Sequence, residues 1–98
     1  MPLFTLDELE ATVATVRPFV PPTPAYAWPL LARRTGADVI VKHENHTPTG
    51  SFKARGPLAY VAALRRDGAL PKGLVTATRG NHGQSVAIAA ARDRKSVV

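Results

Sequence analysis

Thr49-Gly50-Ser51-Phe52-Lys53-Ala54-Arg55-Gly56 sits between two apolar runs, and its reading as a turn that enters a helix decides the fold. Upstream, Asp38-Val39-Ile40-Val41-Lys42-His43-Glu44 holds a β-branched run bounded by turn formers, which predicts a strand. Residues 45–50 then turn, and a helix is expected over residues 52–66. A loop at residues 68–73 leads to a second strand near residues 74–78. Val86, Ile88, Ala89, Ala90 and Ala91 mark a further helix over residues 81–94, and Ser96-Val97-Val98 opens another strand. Strands alternating with helices predict an α/β fold, a mainly parallel sheet flanked by helices. No repeat, low-complexity tract or internal boundary divides residues 1–98, which read as one unit stopping in mid-pattern.

Moving towards the N-terminus, Thr5 followed three residues on by Glu8 is a capping box, and Leu6, Leu9, Val13 and Val16 recur at helical spacing. An amphipathic helix over residues 6–16 follows, ended by Pro18. Pro21, Pro22, Pro24 and Pro29 impose an extended connector, because each proline fixes its own φ and biases its predecessor away from helix. A short helix is expected from Pro29 to Thr35, with Gly36 as its C-cap. Pro57 falls inside the residue 52–66 helix, where an interior proline costs about 3 kcal/mol. A break after Gly56, with Pro57 opening a new helix, removes that penalty.

Composition narrows the function classes. Apolar residues make up 45% and charged residues 20%, a globular balance rather than a disordered one. The absence of cysteine excludes disulfides, a thiolate nucleophile and cysteine-ligated metal. Neither a basic leader nor an apolar run of spanning length is visible, so a cytoplasmic protein with no membrane partner is expected. The formal net charge of +6 raises nucleic acid as a partner, but the cations are scattered, mostly at expected helix ends, and aromatics are only 6%. No nucleic-acid partner is expected. His43 and His46 lack the i, i+4 spacing of a helical zinc site, so no metal is expected either. The segment before Lys53 is not a P-loop, and no serine triad assembles.

The chemistry centres on Lys53. A primary amine becomes a covalent anchor when a carbonyl partner is held beside it. Phe52, its neighbour, is either a core residue or a wall that fixes the plane of a bound ring. Thr78-Arg79-Gly80-Asn81-His82-Gly83-Gln84 follows a strand and opens a helix, a geometry in which unpaired backbone N–H groups converge on an anion such as a carboxylate. Thr78 and Asn81 are equally good helix caps.

These two segments, with Pro21-Pro22-Thr23-Pro24, Lys42-His43-Glu44-Asn45 and Thr47, resemble the serine/threonine dehydratase group of pyridoxal-phosphate enzymes, the fold type II group that includes the tryptophan synthase β subunit. The resemblance covers roughly three quarters of the chain. It implies that Lys53 joins pyridoxal 5'-phosphate as a Schiff base and takes the substrate α-proton. It also implies that Phe52 packs on the pyridine ring, that Asn81 hydrogen-bonds the ring hydroxyl, and that Thr78, Arg79, Gly80, Asn81 and His82 grip the substrate carboxylate.

The implied reaction is lyase chemistry on threonine or serine, a small-molecule substrate, giving a 2-oxo acid and ammonia, in an enzyme expected to be a homo-oligomer. Arg79 stands where the racemase relatives carry a serine that works on the opposite face of the substrate, which disfavours racemisation. The glycine-rich phosphate loop and the partner of the pyridine nitrogen lie, in that group, beyond the point where this chain ends. Residues 1–98 are therefore expected to be the N-terminal portion of the catalytic domain, inactive alone. Alternatives remain: a threonine synthase-like enzyme, a racemase, a hydroxyaspartate dehydratase, or a non-catalytic remnant or basic binding module.

Overall fold

A computed structural model describes residues 2–92 together with the backbone of residues 96 and 97. The first helix, α1 (Leu6–Val16), begins where the capping box places it: the Thr5 N–H donates to Glu8 Oε2 at 2.6 Å and the Glu8 N–H to Thr5 Oγ1 at 3.2 Å. Its apolar stripe does not behave as expected. Only Val16 is buried, while Leu6 is 67% exposed, with Leu9 and Val13 also exposed. Val16 carries the helix into the core, while Ala11, Thr12 and Thr15 face Ala59, Ala62 and Ala63 of α3 (Arg55–Arg66) across a shallow hollow.

The proline-rich connector, expected to be extended, contains a short strand, β1 (Ala25–Ala27). It is followed by α2 (Pro29–Thr35), with Pro29 at its first turn and Gly36 at φ +70° closing it. Next comes β2 (Ile40–Lys42), which pairs antiparallel with β1, Tyr26 opposite Val41. This corrects the expected mainly parallel sheet. Parallel pairing is confined to β3 (Gly73–Leu74) and β4 (Ser96–Val97), so there are two separate two-stranded ribbons among the described residues. Although α3 links β2 to β3, those strands share no ladder among the described residues, so the helix joins two ribbons instead of returning the chain to one parallel sheet. The second expected strand, residues 74–78, is shorter than read, since extended residues after Leu74 carry no ladder.

The helix expected over residues 52–66 is a 3₁₀ turn, Phe52–Ala54, running into α3. The expected break after Gly56 is not there. Pro57 is the third residue of α3, where its missing N–H is one of the four that have no intrahelical acceptor anyway, so the proline costs no hydrogen bond. The last helix, α4 (Asn81–Arg92), packs on α3; the expected extension through Asp93 and Arg94, and Val98 of the last strand, lie outside the described residues. Val16, Val20, Ala54, Leu58, Val61 and Ala89 form the core where α1, α3 and α4 meet. Arg92 stacks over the Phe19 ring at 3.6 Å, tying the end of α4 to the turn after α1.

Candidate active site

Ser51 precedes the 3₁₀ turn that carries Phe52 and Lys53, and its backbone is held on both sides by one hydroxyl. Thr47, buried, donates through Oγ1 to the Ser51 carbonyl at 2.6 Å and accepts from the Ser51 N–H at 3.0 Å. Gly50, at φ +75°, makes the turn between them. Ala54, 3% exposed, drives the inner side of the 3₁₀ turn into the core, which turns Phe52 and Lys53 outward. No hydrogen bond or ion pair engages the Lys53 amine among the described residues.

Both Phe52 and Lys53 line a cleft of about 540 Å³ between α3, the chain after β3 and the start of α4. Tyr60, Val75, Thr76 and His82 complete much of its wall. Tyr60 was not singled out from sequence, and Pro57 was read there only for its effect on the helix. Their signal was present, since positions 53, 57 and 60 share one helical face at i, i+4 and i+7.

The second expected loop is organised by Thr78, whose Oγ1 accepts from the Gly80 N–H at 3.0 Å and the Gly83 N–H at 2.9 Å. Its side chain thus acts as a cap. Gly80 adopts φ +144°, a region that favours glycine, and Gly83 lies so close that a Cβ there would collide with Thr78 Cγ2. The Gln84 N–H bonds the Gly80 carbonyl, leaving the N–H groups of Asn81 and His82 unpaired at the N-terminus of α4. Of the site residues read from sequence, Phe52, Lys53 and His82 meet at the cleft. Thr78, Arg79, Gly80 and Asn81 stand beside it on an exposed rim and do not line it.

A polar knot that the sequence reading missed lies behind Lys53. Glu44 receives Arg55 Nε on Oε1 at 2.6 Å and Arg55 Nη2 on Oε2 at 3.0 Å, and Thr23 Oγ1 donates to Oε2 at 2.7 Å. Lys42 Nζ adds a further cation at 3.4 Å and also donates to Thr23. The Arg55 hydrogen bonds hold the Glu44 carboxyl down to about 2, against the upward pull of its partial burial, with Thr23 and the charges of Arg55 and Lys42 assisting. His43 and His46, set aside as metal ligands, belong to an aromatic group. Trp28 Nε1 donates to His43 Nε2 at 3.1 Å, and the two imidazoles meet edge to face.

The family model described as pyridoxal-phosphate dependent enzyme matches residues 16–96. This chain belongs to the pyridoxal-phosphate-dependent enzymes. Among family members, an L-threonine ammonia-lyase from Thermotoga maritima is 35% identical over 88 residues, which are 90% of this chain and 22% of that protein. A catabolic L-threonine dehydratase from Staphylococcus aureus is 36% identical over 89 residues, 90% of this chain and 25% of that one. In three dimensions the chain is similar to a T.th. threonine deaminase, with a TM-score of 0.81, 36% identity and coverage of 97% of this chain and 33% of the deaminase. It is equally similar to a pyridoxal 5'-phosphate-dependent aspartate racemase, with a TM-score of 0.83, 34% identity and coverage of 99% and 31%. The chain thus spans about a quarter to a third of the length of these relatives, and it is an α/β chain of fold type II kind. No helix among the described residues is long and apolar enough to cross a membrane.

The residues present fit part of what pyridoxal phosphate needs. An unengaged amine and an exposed phenyl ring share one wall of a cleft large enough for a pyridine ring. The N-terminus of α4 stands at its edge.

Proposed function

We propose that these residues supply the lysine-bearing part of a threonine or serine dehydratase. The observation that carries the reading is the unengaged Lys53 amine on the cleft wall beside Phe52, in a chain about 35% identical to threonine ammonia-lyases and dehydratases. Lys53 is the residue that holds the cofactor covalently. Phe52 walls its ring, and the Asn81 side chain reaches its ring hydroxyl. The N–H groups of Asn81 and His82, in the loop of Thr78, Arg79 and Gly80, receive the substrate carboxylate at the positive end of α4.

Pyridoxal phosphate, when bound, supplies an electron sink for the charge left on the substrate Cα. Lys53 Nζ takes the Cα proton as general base, which sets the face of the substrate on which the reaction begins. Loss of the β-hydroxyl as water, then hydrolysis of the released enamine, gives a 2-oxo acid and ammonia. Arg79 offers no hydroxyl for proton delivery on the opposite face, which supports elimination over racemisation even though racemases share the fold.

Two measurements test this in the complete protein. L-Threonine or L-serine should yield 2-oxo acid, and Lys53→Ala should abolish that product while leaving the helical circular dichroism unchanged. Normal turnover by Lys53→Ala would sink the assignment. A D-amino acid as main product, seen by chiral chromatography, would favour the racemase reading instead.

A further inference from the structure

Lys53 stands in a single 3₁₀ turn, a geometry with poor hydrogen bonds, and its N-cap Ser51 contributes no side-chain cap. On its own such a turn frays. The turn is nevertheless fastened at its C-terminal end, since Arg55, two residues beyond Lys53, forms a two-point fork with Glu44. Forked guanidinium–carboxylate pairs fix direction as well as distance, because both partners are planar. The pair is only partly accessible, with the Glu44 side chain 22% and the Arg55 side chain 32% exposed.

Glu44 is itself held in place. It lies just after β2, and the Thr23 hydroxyl from the chain leading into β1 clasps Oε2. The β1–β2 ribbon is therefore joined to the turn bearing the lysine through one carboxylate.

We propose that Glu44 is a positioning residue for Lys53, acting through Arg55 to hold the 3₁₀ turn so that the amine faces the cleft. This rests on the reading of Lys53 as the cofactor-bearing lysine. The Glu44 side chain does not line the cleft, whereas Arg55 does, so the carboxylate acts on the turn through the fork.

The test is site-selective labelling of the complete protein, with no turnover required. Pyridoxal phosphate is added at limiting concentration, the adduct is reduced with borohydride, and peptide mass spectrometry gives the ratio of labelled Lys53 to labelled Lys72. Lys72 is exposed and outside the knot, whereas Lys42 contacts Glu44 and is unsuitable as a reference. In the parent chain the ratio should favour Lys53. Glu44→Gln and Arg55→Lys should each lower it about five- to tenfold, the scale expected when a reacting group is misplaced by a fraction of an ångström. Asp67→Asn, which breaks an exposed pair with Arg66, should leave it unchanged.

Circular dichroism is recorded on each variant, and ratios are compared at a temperature where the helical signal equals that of the parent chain. Arg55→Lys retains the charge and decides the matter if Glu44→Gln unfolds. A parent ratio favouring Lys53 that survives in folded variants overturns the positioning role and leaves the lysine assignment standing. A parent ratio near unity overturns both. An equal drop in Asp67→Asn also overturns the proposal, because net charge then accounts for the effect.

Discussion

Two loops border the cleft, residues 47–53 and residues 78–83, and both are closed by a threonine hydroxyl. Their surroundings differ. Thr47 is buried and bonds one residue twice, and the turn it leads into is fastened again by Glu44 and Arg55. Thr78 is exposed and gathers two N–H groups on a single oxygen, and the loop is otherwise held by the close approach of Gly83, by the Gln84 N–H on the Gly80 carbonyl and by the buried Ser85 hydroxyl on the Asn81 carbonyl. The lysine side of the site is therefore built from contacts spread across the chain, whereas the side facing a carboxylate is held by contacts between near neighbours in sequence. The first loop has its own cost, since the hydroxyls of Thr49 and Ser51 are buried without partners and offset part of what Thr47 contributes.

Breaking the first loop should have the larger effect. Thr47→Val keeps the shape but removes both bonds, leaving the Ser51 N–H without an acceptor while its carbonyl keeps the Ala54 N–H. An orphaned N–H of this kind should cost about 2 to 3 kcal/mol in urea unfolding. A loss too small to measure would mean that the fork alone holds the turn.

The second loop offers a sharper test because the usual sign reverses. Glycine to alanine inside a helix normally stabilises by up to about 1 kcal/mol. At Gly83 the added methyl meets Thr78 Cγ2, so Gly83→Ala should instead destabilise by about 1 to 2 kcal/mol. Thr78→Ser removes that methyl and keeps the capping oxygen. The double variant should recover most of the loss, and strict additivity in the thermal or urea series would refute the steric account.

How much of this was legible in the sequence follows the range of each interaction. Thr5 and Glu8 cap α1 over three residues, and Pro29 and Gly36 bound α2 at the expected positions. The Lys53 and Asn81 segments were recognisable as a turn entering a helix and a strand-to-helix loop, and the family followed from them. Strand pairing was not legible. β2 reads in isolation as a member of a parallel sheet, and its antiparallel neighbour β1 lies in the proline-rich connector, where no strand was expected. The stripe of Leu6, Leu9 and Val13 indicated an apolar face without indicating what it would pack on, and only Val16 at its end enters the core. Glu44 and Arg55 are eleven residues apart on different elements, so their pairing had no periodic signal.

The pH dependence of stability separates the two loops most gently, because only the first has a titrating group in its support. Glu44 is held at about 2, below its usual 4.5, so the folded state prefers the carboxylate. The resulting stabilisation is complete above 4.5 and is lost as pH falls from there towards 2. With both partners partly solvated, about 1 kcal/mol is expected after screening. Thermal midpoints measured across that window should fall more steeply for the parent chain than for Glu44→Gln, in which nothing titrates at this position. The loop at residues 78–83 has no carboxylate in its hydrogen bonds, so the difference between Thr78→Ser and the parent chain should stay constant with pH. Parallel curves for the parent chain and Glu44→Gln would mean that the fork does not survive in solution, and the contrast between the loops would then reduce to burial of Thr47 against exposure of Thr78.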